Sequence, residues 1–317
     1  MFWDFMSLRP ETMSTLLRLF SNTGLPDGWR RMDSYPANVY KLVNFNRVVH
    51  YCKFSFECKE TKRYLSTKDA SRVEPDYFTR DLFNAIERHN YPSWILYIQV
   101  MTEGQAMELL HRRVNPFDPF DNTKVWPSRE FPRTRLGMLN LTSNPTNHFA
   151  EIEQLAFAPA NMVPGIEPSA YDKILQGRIF AYPDAQRYRL GPNYQQLGPN
   201  RPLNAVRNYQ RDGPQTFYHQ GDEPNYHPNT FLGPPDVFIN KLDFKEDIFL
   251  MLPPSVYDDV WQNQQYLDSL GIFNKQSLAK NIANSLGTVT DPEIKNRMLG
   301  LFSKIDRTFH MLIKDYL

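Results

Sequence analysis

The residues with the clearest chemical potential lie in one run, YDKILQGRIFAYPDAQRYRL, at positions 171–190. Five of them recur every three or four positions and would form one stripe on a helix: Ile174, Arg178, Tyr182, Gln186 and Arg189. A guanidinium one helical turn before a phenol favours the ionised phenolate, and that anionic oxygen suits Fe(III) as a ligand. Arg189, two turns further on, has the geometry to meet a carboxylate with two hydrogen bonds.

The same spacing has a simpler explanation. An arginine four residues before a tyrosine occurs by chance on many helices, where the two side chains form a surface cation–aromatic contact. Spacing alone therefore leaves a metal-ligand pair and a surface contact both open for Arg178 and Tyr182.

The elements that must position this run follow from hydrophobic periodicity. The pattern predicts a short helix within residues 7–21, a β-hairpin over 38–57, a helix over 74–88, a strand buried on both faces over 94–101 and a short strand over 136–141. Further helices are predicted over 258–270, 276–286 and 292–313, the last with a capped start at Thr290 and Pro292.

Residues 183–235 differ from the rest of the chain in composition, since they contain nine prolines together with many Asn, Gln and Tyr residues. Proline removes amide donors and fixes φ, so neither helix nor sheet is expected to persist there. Long irregular stretches of this kind usually wrap a surface or a partner. We therefore predict an extended wrapping segment.

Composition excludes several classes of protein. In 317 residues, Lys and Arg number 36 and Asp and Glu 35, so the net charge of +1 gives no support for nucleic-acid binding. No long apolar run indicates a membrane span, and no signal peptide or C-terminal Ser-Lys-Leu is present. Cys52 and Cys58 are interpreted as reduced thiols, too far apart in one strand to bridge.

RIFAYPDAQ, at residues 178–186, resembles the proximal haem-ligand signature of the haem catalases. Six further segments resemble catalase segments in the family's order: FMSLRPE at 5–11, RDLFNAI at 80–86, YPSW at 91–94, TKVWP at 123–127, FAEIEQLAF at 149–157 and NYQRDGP at 208–214. The similarity runs from about residue 2 to 231 and more loosely through the C-terminal helices. The sequence is thereby identified as a member of the small-subunit, monofunctional haem catalases.

The resemblance implies roles for five residues. Tyr182 would be the axial ligand of haem b iron, as tyrosine is in catalase, and Arg178 would keep it a phenolate. Arg189 would pair with a haem propionate, while Phe157 and Pro159 would form part of the proximal pocket wall. Taken alone, Phe157 is more often a core residue than part of a haem pocket, and Pro159 is typical of a turn.

The resemblance also implies departures from the family. The distal histidine and asparagine of catalases lie upstream of the segment that resembles FMSLRPE, so we expect neither in this chain, together with an incomplete barrel and impaired turnover. We do not expect NADPH to bind, because Thr23, Glu57 and Ser128 stand where catalases have residues that suit the phosphate of NADPH. Asn38 stands where the family usually has a histidine that hydrogen-bonds near the proximal side.

The predicted fold is therefore α+β: an incomplete catalase barrel over residues 1–142, the proximal helix and wrapping segment over 143–244, and a helical region over 245–317. The first functional hypothesis is a catalase-like haem protein acting on hydrogen peroxide, forming a homotetramer in the cytoplasm or peroxisome. The alternative is a non-catalytic catalase-related protein that binds haem or a partner. A plain peroxidase-like haem protein is a third and weaker hypothesis.

Overall fold

The computed structural model describes residues 1–112, 118–204, 209–231, 233 and 260–317. Its helices are α1 Phe2–Leu8, α2 Met13–Phe20, α3 Thr67–Ala70, α4 Tyr77–Glu87, α5 Glu103–His111, α6 Lys173–Leu190, α7 Val260–Ser269, α8 Ile272–Gly287, α9 Pro292–Ile305 and α10 Arg307–Tyr316. Its strands are β1 Tyr40–Val43, β2 Val49–Cys58, β3 Ser93–Thr102, β4 Thr134–Asn140 and β5 Ile166–Pro168. This is the α+β composition that the sequence predicts.

The five strands form one sheet in the order β4-β3-β2-β1-β5. The predicted hairpin is confirmed, because β1 and β2 pair antiparallel with Tyr40 opposite Cys52 and Val43 opposite Val49. β5 pairs antiparallel with the other side of β1, and β3 pairs antiparallel with β4. β4 and β5 are therefore the outer strands of an open sheet.

Strand β3 is less buried than its sequence predicts. Trp94, Ile98 and Met101 are buried, but the apolar residues between them are only partly covered and Val100 is 38% exposed. Its neighbour β4 is mostly exposed, with Leu136, Met138 and Leu139 each more than 40% accessible. The faces of these two strands are therefore only partly covered by the rest of the described chain.

The chain divides by its contacts into two compact units. One comprises Met1–Ala37, Lys53–Thr142 and Leu250–Leu317, and the other comprises Asn38–Cys52 and Ser143–Phe249. The sequence predicts three consecutive parts, whereas the units are discontinuous. The reason lies in the first unit, where α1 and α2 share a buried core with the C-terminal helices; the consecutive division stays a prediction about sequence organisation.

That core of the first unit is built from the apolar stripes of six helices. Met13, Leu16 and Leu17 of α2 are fully or almost fully buried together with residues of α7–α10. The large side chains with the most complete burial in this cluster are those of Leu16, Leu17, Leu267, Leu278, Ile282, Leu286, Met298, Phe302, Phe309 and Ile313. Burial of that many large side chains makes this helical cluster a main source of the unit's stability.

The last predicted helix is two helices. The chain is extended at Asp306, with φ −155° and ψ 116°, and the Asp306 carboxylate accepts hydrogen bonds from the amides of Thr308 and Phe309. This N-cap ends α9 and begins α10. The start of α9 also differs from the prediction, because Asp291 rather than Thr290 caps it, with Pro292 in the first turn.

Both cysteines lie in β2 and are buried, Cys52 completely and Cys58 to 8% exposure. Burial raises the pKa of the Cys52 thiol to about 12 and that of Cys58 to about 11. Since the thiolate is the reactive form, we expect both thiols of the folded protein to react slowly with a maleimide near neutral pH. Mass spectrometry should find two modified cysteines at once after urea unfolding, and rapid labelling of Cys52 before unfolding would contradict the burial.

Within the described part of the chain, none of the helices combines the length and the hydrophobicity that crossing a membrane requires.

Candidate functional site

Helix α6 carries the predicted stripe, and it lies in the second unit. Its N-cap is Asp172, whose side chain accepts a hydrogen bond of 2.9 Å from the amide of Leu175. The helix ends at Gly191, where φ is +119°, a value that glycine adopts without the strain a Cβ would bring. Residues 178, 182 and 186 therefore share one helical face, as their spacing predicts.

The prediction of no helix after residue 183 is wrong for its first eight residues. Pro183 lies inside α6, which continues to Leu190. A proline removes a single i to i−4 hydrogen bond, and α6 tolerates this loss because the turns on both sides remain intact. Beyond α6, the described residues up to 231 contain one short 3₁₀ turn, Tyr194–Gln196, and are otherwise irregular, as predicted.

The arginine and tyrosine at the centre of the stripe meet at the phenol oxygen. Nη2 of Arg178 donates a hydrogen bond of 2.9 Å to the hydroxyl oxygen of Tyr182. The Arg178 guanidinium carbon also lies 4.9 Å from the centre of the Tyr182 ring. A ring contact alone would be the simple surface pair, but the hydrogen bond places positive charge directly on the oxygen that a metal would use.

A second layer of residues holds Arg178 in place. Its Nη1 donates to Oδ1 of Asn38, and Nδ2 of Asn38 donates to both carboxylate oxygens of Asp172, at 3.2 and 3.1 Å. Asn38 is 2% exposed and Asp172 is fully buried. The amide of Asn38 thus has a defined orientation, oxygen towards the arginine and nitrogen towards the carboxylate.

Asp172 joins the residues just before β1 to the first turn of α6. Besides Asn38 and Leu175, its carboxylate accepts a hydrogen bond of 2.8 Å from the backbone amide of Val39. The result is a continuous line of polar contacts, Asp172–Asn38–Arg178–Tyr182, whose first member is also the cap of the helix that carries the last two. Sequence reasoning missed Asp172, although an aspartate just before a helical pattern is a typical N-cap signal.

A neighbouring phenol was also missed. Burial raises the pKa of Tyr40, the first residue of β1, and the positive charge of Arg178 partly opposes this shift. Tyr40 therefore stays a neutral phenol at physiological pH and does not compete for the charge of Arg178.

The other predicted site residues form a second group. Arg189 donates to the backbone oxygens of Glu153 and Leu155 and to Oε1 of Gln186. Nε2 of Gln186 donates to the backbone oxygen of Phe157 at 3.3 Å. Arg189 and Gln186 together thus fasten α6 to the segment that contains Phe157.

The two predicted wall residues differ in their surroundings. The Phe157 side chain is 73% exposed, which a core residue would not be, so its ring is available to a ligand. Pro159 is partly buried and begins a turn. In the described structure Arg189 already uses hydrogen-bond donors on protein oxygens, so its pairing with a propionate stays a prediction.

Residues 1–233 match the family described as catalase, and residues 258–317 match the one described as catalase-related immune-responsive. The chain belongs to the catalase family. It is 53% identical over 239 residues to the catalase of Cavia porcellus, which covers 74% of this chain and 44% of that protein. It is 43% identical over 341 residues to the catalase of Glandirana rugosa, which covers 100% of this chain and 63% of that protein.

Solved catalase structures share the fold. A fungal catalase crystal structure superposes with a TM-score of 0.82 at 34% identity, covering 99% of this chain and 65% of its own. A bacterial catalase gives 0.84 at 29% identity, again with 99% of this chain and 65% of that one. The predicted family and the α+β incomplete-barrel fold are confirmed, and the chain spans less than half the length of the Cavia porcellus relative.

The residues of the line suit the haem of this family. The Tyr182 oxygen accepts one hydrogen bond from Arg178 and keeps electron pairs for a metal. Among the described residues, no group of three or more His, Cys, Asp and Glu side chains could hold a metal ion. Tyr182 would be the residue that holds the iron of a haem, and the haem would supply the redox chemistry there.

The seven histidines of the chain contact residues outside the line from Asp172 to Tyr182. The hydrogen-bond or ion-pair partners are Tyr91 for His89, Met107 for His111, Glu153 for His148, Asp212 for His219 and Leu299 for His310. His50 lies in β2 opposite Leu42, and the ring of His227 lies beside that of Tyr209. None of these contacts is with Arg178 or Tyr182.

The positions compared with the NADPH site of catalases lie in the first unit. Nη1 of Arg18 donates to the backbone oxygen of Ser14 at 3.0 Å, and its guanidinium carbon lies 4.6 Å from the ring centre of Tyr266. Glu57 lies 3.8 Å from Arg133. The cation at position 18 is thus already in contact with protein groups, and Glu57 brings negative charge.

Proposed function

We propose that this chain provides the tyrosine side of a haem b site that acts on hydrogen peroxide, in the reaction of two H₂O₂ to O₂ and two H₂O. The observation that carries the proposal is the hydrogen bond of 2.9 Å from Arg178 to the Tyr182 oxygen, with Arg178 itself held by Asn38. Catalase-family membership makes haem the group that this oxygen would meet.

Each residue of the line has a task in this proposal. Arg178 donates to the Tyr182 oxygen and would stabilise negative charge there, because a guanidinium is always charged. Asn38 and Asp172 keep that guanidinium from rotating. When bound, haem supplies the ferric iron and the redox chemistry with peroxide. Arg189 would bind a propionate, and Phe157 and Pro159 would contact the porphyrin.

We further propose that the 317-residue polypeptide alone turns peroxide over weakly. Cleavage of the O–O bond needs a group that moves a proton between the two peroxide oxygens, a contribution of typically about 10²–10⁴-fold. None of the seven segments that resemble catalases contains a histidine that could serve as that group. We therefore expect the chain to bind haem through Tyr182 but to lack an efficient group for proton transfer between the peroxide oxygens.

Reconstitution with haem tests both parts of the proposal. The purified chain, titrated with hemin, should give a ferric spectrum of the tyrosinate type at one haem per chain. Oxygen evolution from peroxide, measured with an oxygen electrode against an intact catalase at equal haem, should be lower by at least about 10²-fold. Haem binding with full activity would refute the second part, and absence of a tyrosinate spectrum would refute the first.

The second candidate is a non-catalytic role in binding haem or a partner protein. It is favoured by the exposed aromatic residues of the second unit, among which Phe180 and Tyr188 of α6 are 78% and 81% accessible. Surfaces of this kind mark interaction sites. The natural partner would be a second copy of the chain, assembled as in catalase tetramers through residues 183–235. The oxygen-electrode measurement separates this candidate from the enzyme.

The proposal also covers NADPH and the cellular compartment. NADPH is not a cofactor of this chain, because Arg18 is engaged by Ser14 and Tyr266 and Glu57 would repel a phosphate. The cytoplasm or the peroxisome is the expected compartment.

A further inference from the structure

Arginine three residues before a serine or threonine is the charge pattern that basophilic protein kinases recognise. The sequence contains it four times, in the pairs Arg9 and Thr12, Arg18 and Ser21, Arg31 and Ser34, and Arg63 and Ser66. Such a kinase needs three things: a reachable hydroxyl, a reachable guanidinium, and a backbone that is not helical. The structure separates the four pairs by these requirements.

Three of the pairs fail. Ser21 is 5% exposed, and its hydroxyl donates to the backbone oxygen of Arg18. Thr12 ends a 3₁₀ turn, and its hydroxyl donates to the oxygen of Arg9 at 2.7 Å.

Ser34 fails for a different reason. The Arg31 side chain is only 12% exposed and is paired with Asp27 at 3.5 Å. A kinase could therefore not reach the guanidinium of this pair.

The fourth pair meets all three requirements. Ser66 and Arg63 are both exposed, and the backbone at Ser66 is extended, with φ −70° and ψ 157°. The preceding residues are held in an extended course, because the Arg63 oxygen accepts from the amide of Asp27 and the Leu65 amide donates to the oxygen of Leu25. Lys62, next to Arg63, is 42% exposed but forms an ion pair of 2.5 Å with Asp33, so the recognition charge of this pair is that of Arg63.

We propose that Ser66 is a phosphorylation site for a basophilic serine/threonine kinase that uses ATP. The Ser66 oxygen attacks the γ-phosphorus of ATP and forms a new P–O bond. The bond from that phosphorus to the β,γ-bridging oxygen breaks, ADP leaves, and the hydroxyl proton passes to the base of the kinase.

The modification has a direct local consequence. The Ser66 hydroxyl now donates to Oδ2 of Asp69 at 2.6 Å and accepts from the Asp69 amide at 3.1 Å. A phosphate carries a charge of about −1.5 to −2 and no donor at physiological pH, so it would repel the Asp69 carboxylate. Phosphorylation therefore replaces an attractive contact at the start of α3 by a repulsive one.

The experiment incubates the folded chain with Mg²⁺-ATP and the catalytic subunit of the cAMP-dependent protein kinase, and maps phosphate by tandem mass spectrometry. We expect one phosphate per chain, on Ser66. S66A should abolish it and R63Q should lower the initial rate by about tenfold or more, because the guanidinium provides the recognition charge. Both side chains are exposed, so circular dichroism should show unchanged folding in both variants.

Ser71 provides the matched control. It is an exposed serine of the same loop and has Lys68 three residues before it, so S71A should be phosphorylated like the unaltered chain. A urea-unfolded sample should gain phosphate on Ser21, which only unfolding exposes. Phosphate on Ser21, Ser34, Thr12 or Ser71 of the folded chain in place of Ser66 would overturn the proposal, as would an unmodified folded chain.

Discussion

Tyr182→Phe is expected to remove the tyrosinate-type ferric spectrum of the haem-loaded chain. The substitution deletes only the oxygen that accepts the hydrogen bond from Arg178 and leaves the ring and the helix in place. An iron–phenolate bond gives a charge-transfer absorption that phenylalanine cannot produce, so the band should vanish rather than weaken. The measurement is an absorption titration with hemin, with resonance Raman spectroscopy to detect the phenolate vibrations.

Tyr188→Phe is the control on the same helix. Tyr188 is six residues further along α6 and 81% exposed, so removal of its hydroxyl should leave the spectrum unchanged. Hemin affinity should fall for Tyr182→Phe alone, by about 10-fold or more if the axial bond contributes at least about 1.4 kcal/mol. A phenolate spectrum that persists in Tyr182→Phe and disappears in Tyr188→Phe would show that Tyr188, and not Tyr182, binds the iron, and would contradict the proposal.

How far the sequence determines this site is visible at individual residues. The spacing of Arg178 and Tyr182 predicts that they share a helical face, and the hydrogen bond between them is a local consequence of that spacing. Asn38 and Asp172 are 134 positions apart in the chain, and no periodicity connects them. Their contact depends on how β1 packs near the start of α6, which is a tertiary outcome.

The same distinction holds for the rest of the fold. The hairpin and most of the predicted helices follow from local pattern and agree with the structure to within a few residues, whereas α3, α5 and β5 are not predicted. Three errors have nonlocal causes or depend on one side chain. Pro183 is tolerated within a helix, and Asp306 divides the final helix by capping its second half. Strand β3 is partly exposed because tertiary packing covers its faces incompletely within the described chain.

Arg189 illustrates a limit of another kind. The resemblance to catalases predicts a propionate partner, whereas the structure shows the guanidinium on the backbone oxygens of Glu153 and Leu155. The backbone contacts and a propionate contact would both use N–H donors of the guanidinium, which carries five of them. The backbone contacts fix the position of the side chain beside the Phe157 segment, and this is the position from which it would meet an anion.

Asp172→Ala is expected to lower the free energy of unfolding by about 3–5 kcal/mol, the largest stability loss that we predict for a single substitution. The carboxylate is fully buried and accepts from the amides of Val39 and Leu175 and from Nδ2 of Asn38. Alanine leaves these donors without their acceptor and removes the N-cap of α6. Urea denaturation followed by circular dichroism measures the loss.

Two variants define what Asp172 does. Asp184→Ala removes an exposed carboxylate from the same helix, so it should cost about 0.5 kcal/mol or less. Asp172→Asn keeps a capping oxygen and should restore part of the stability, because asparagine is a good N-cap. Its amide nitrogen, however, faces donors where the carboxylate had a second oxygen, so Asn38 and with it Arg178 lose a fixed orientation. The tyrosinate spectrum should therefore weaken in Asp172→Asn even where the fold is retained, and an unchanged spectrum would show that Arg178 holds its place without this line of contacts.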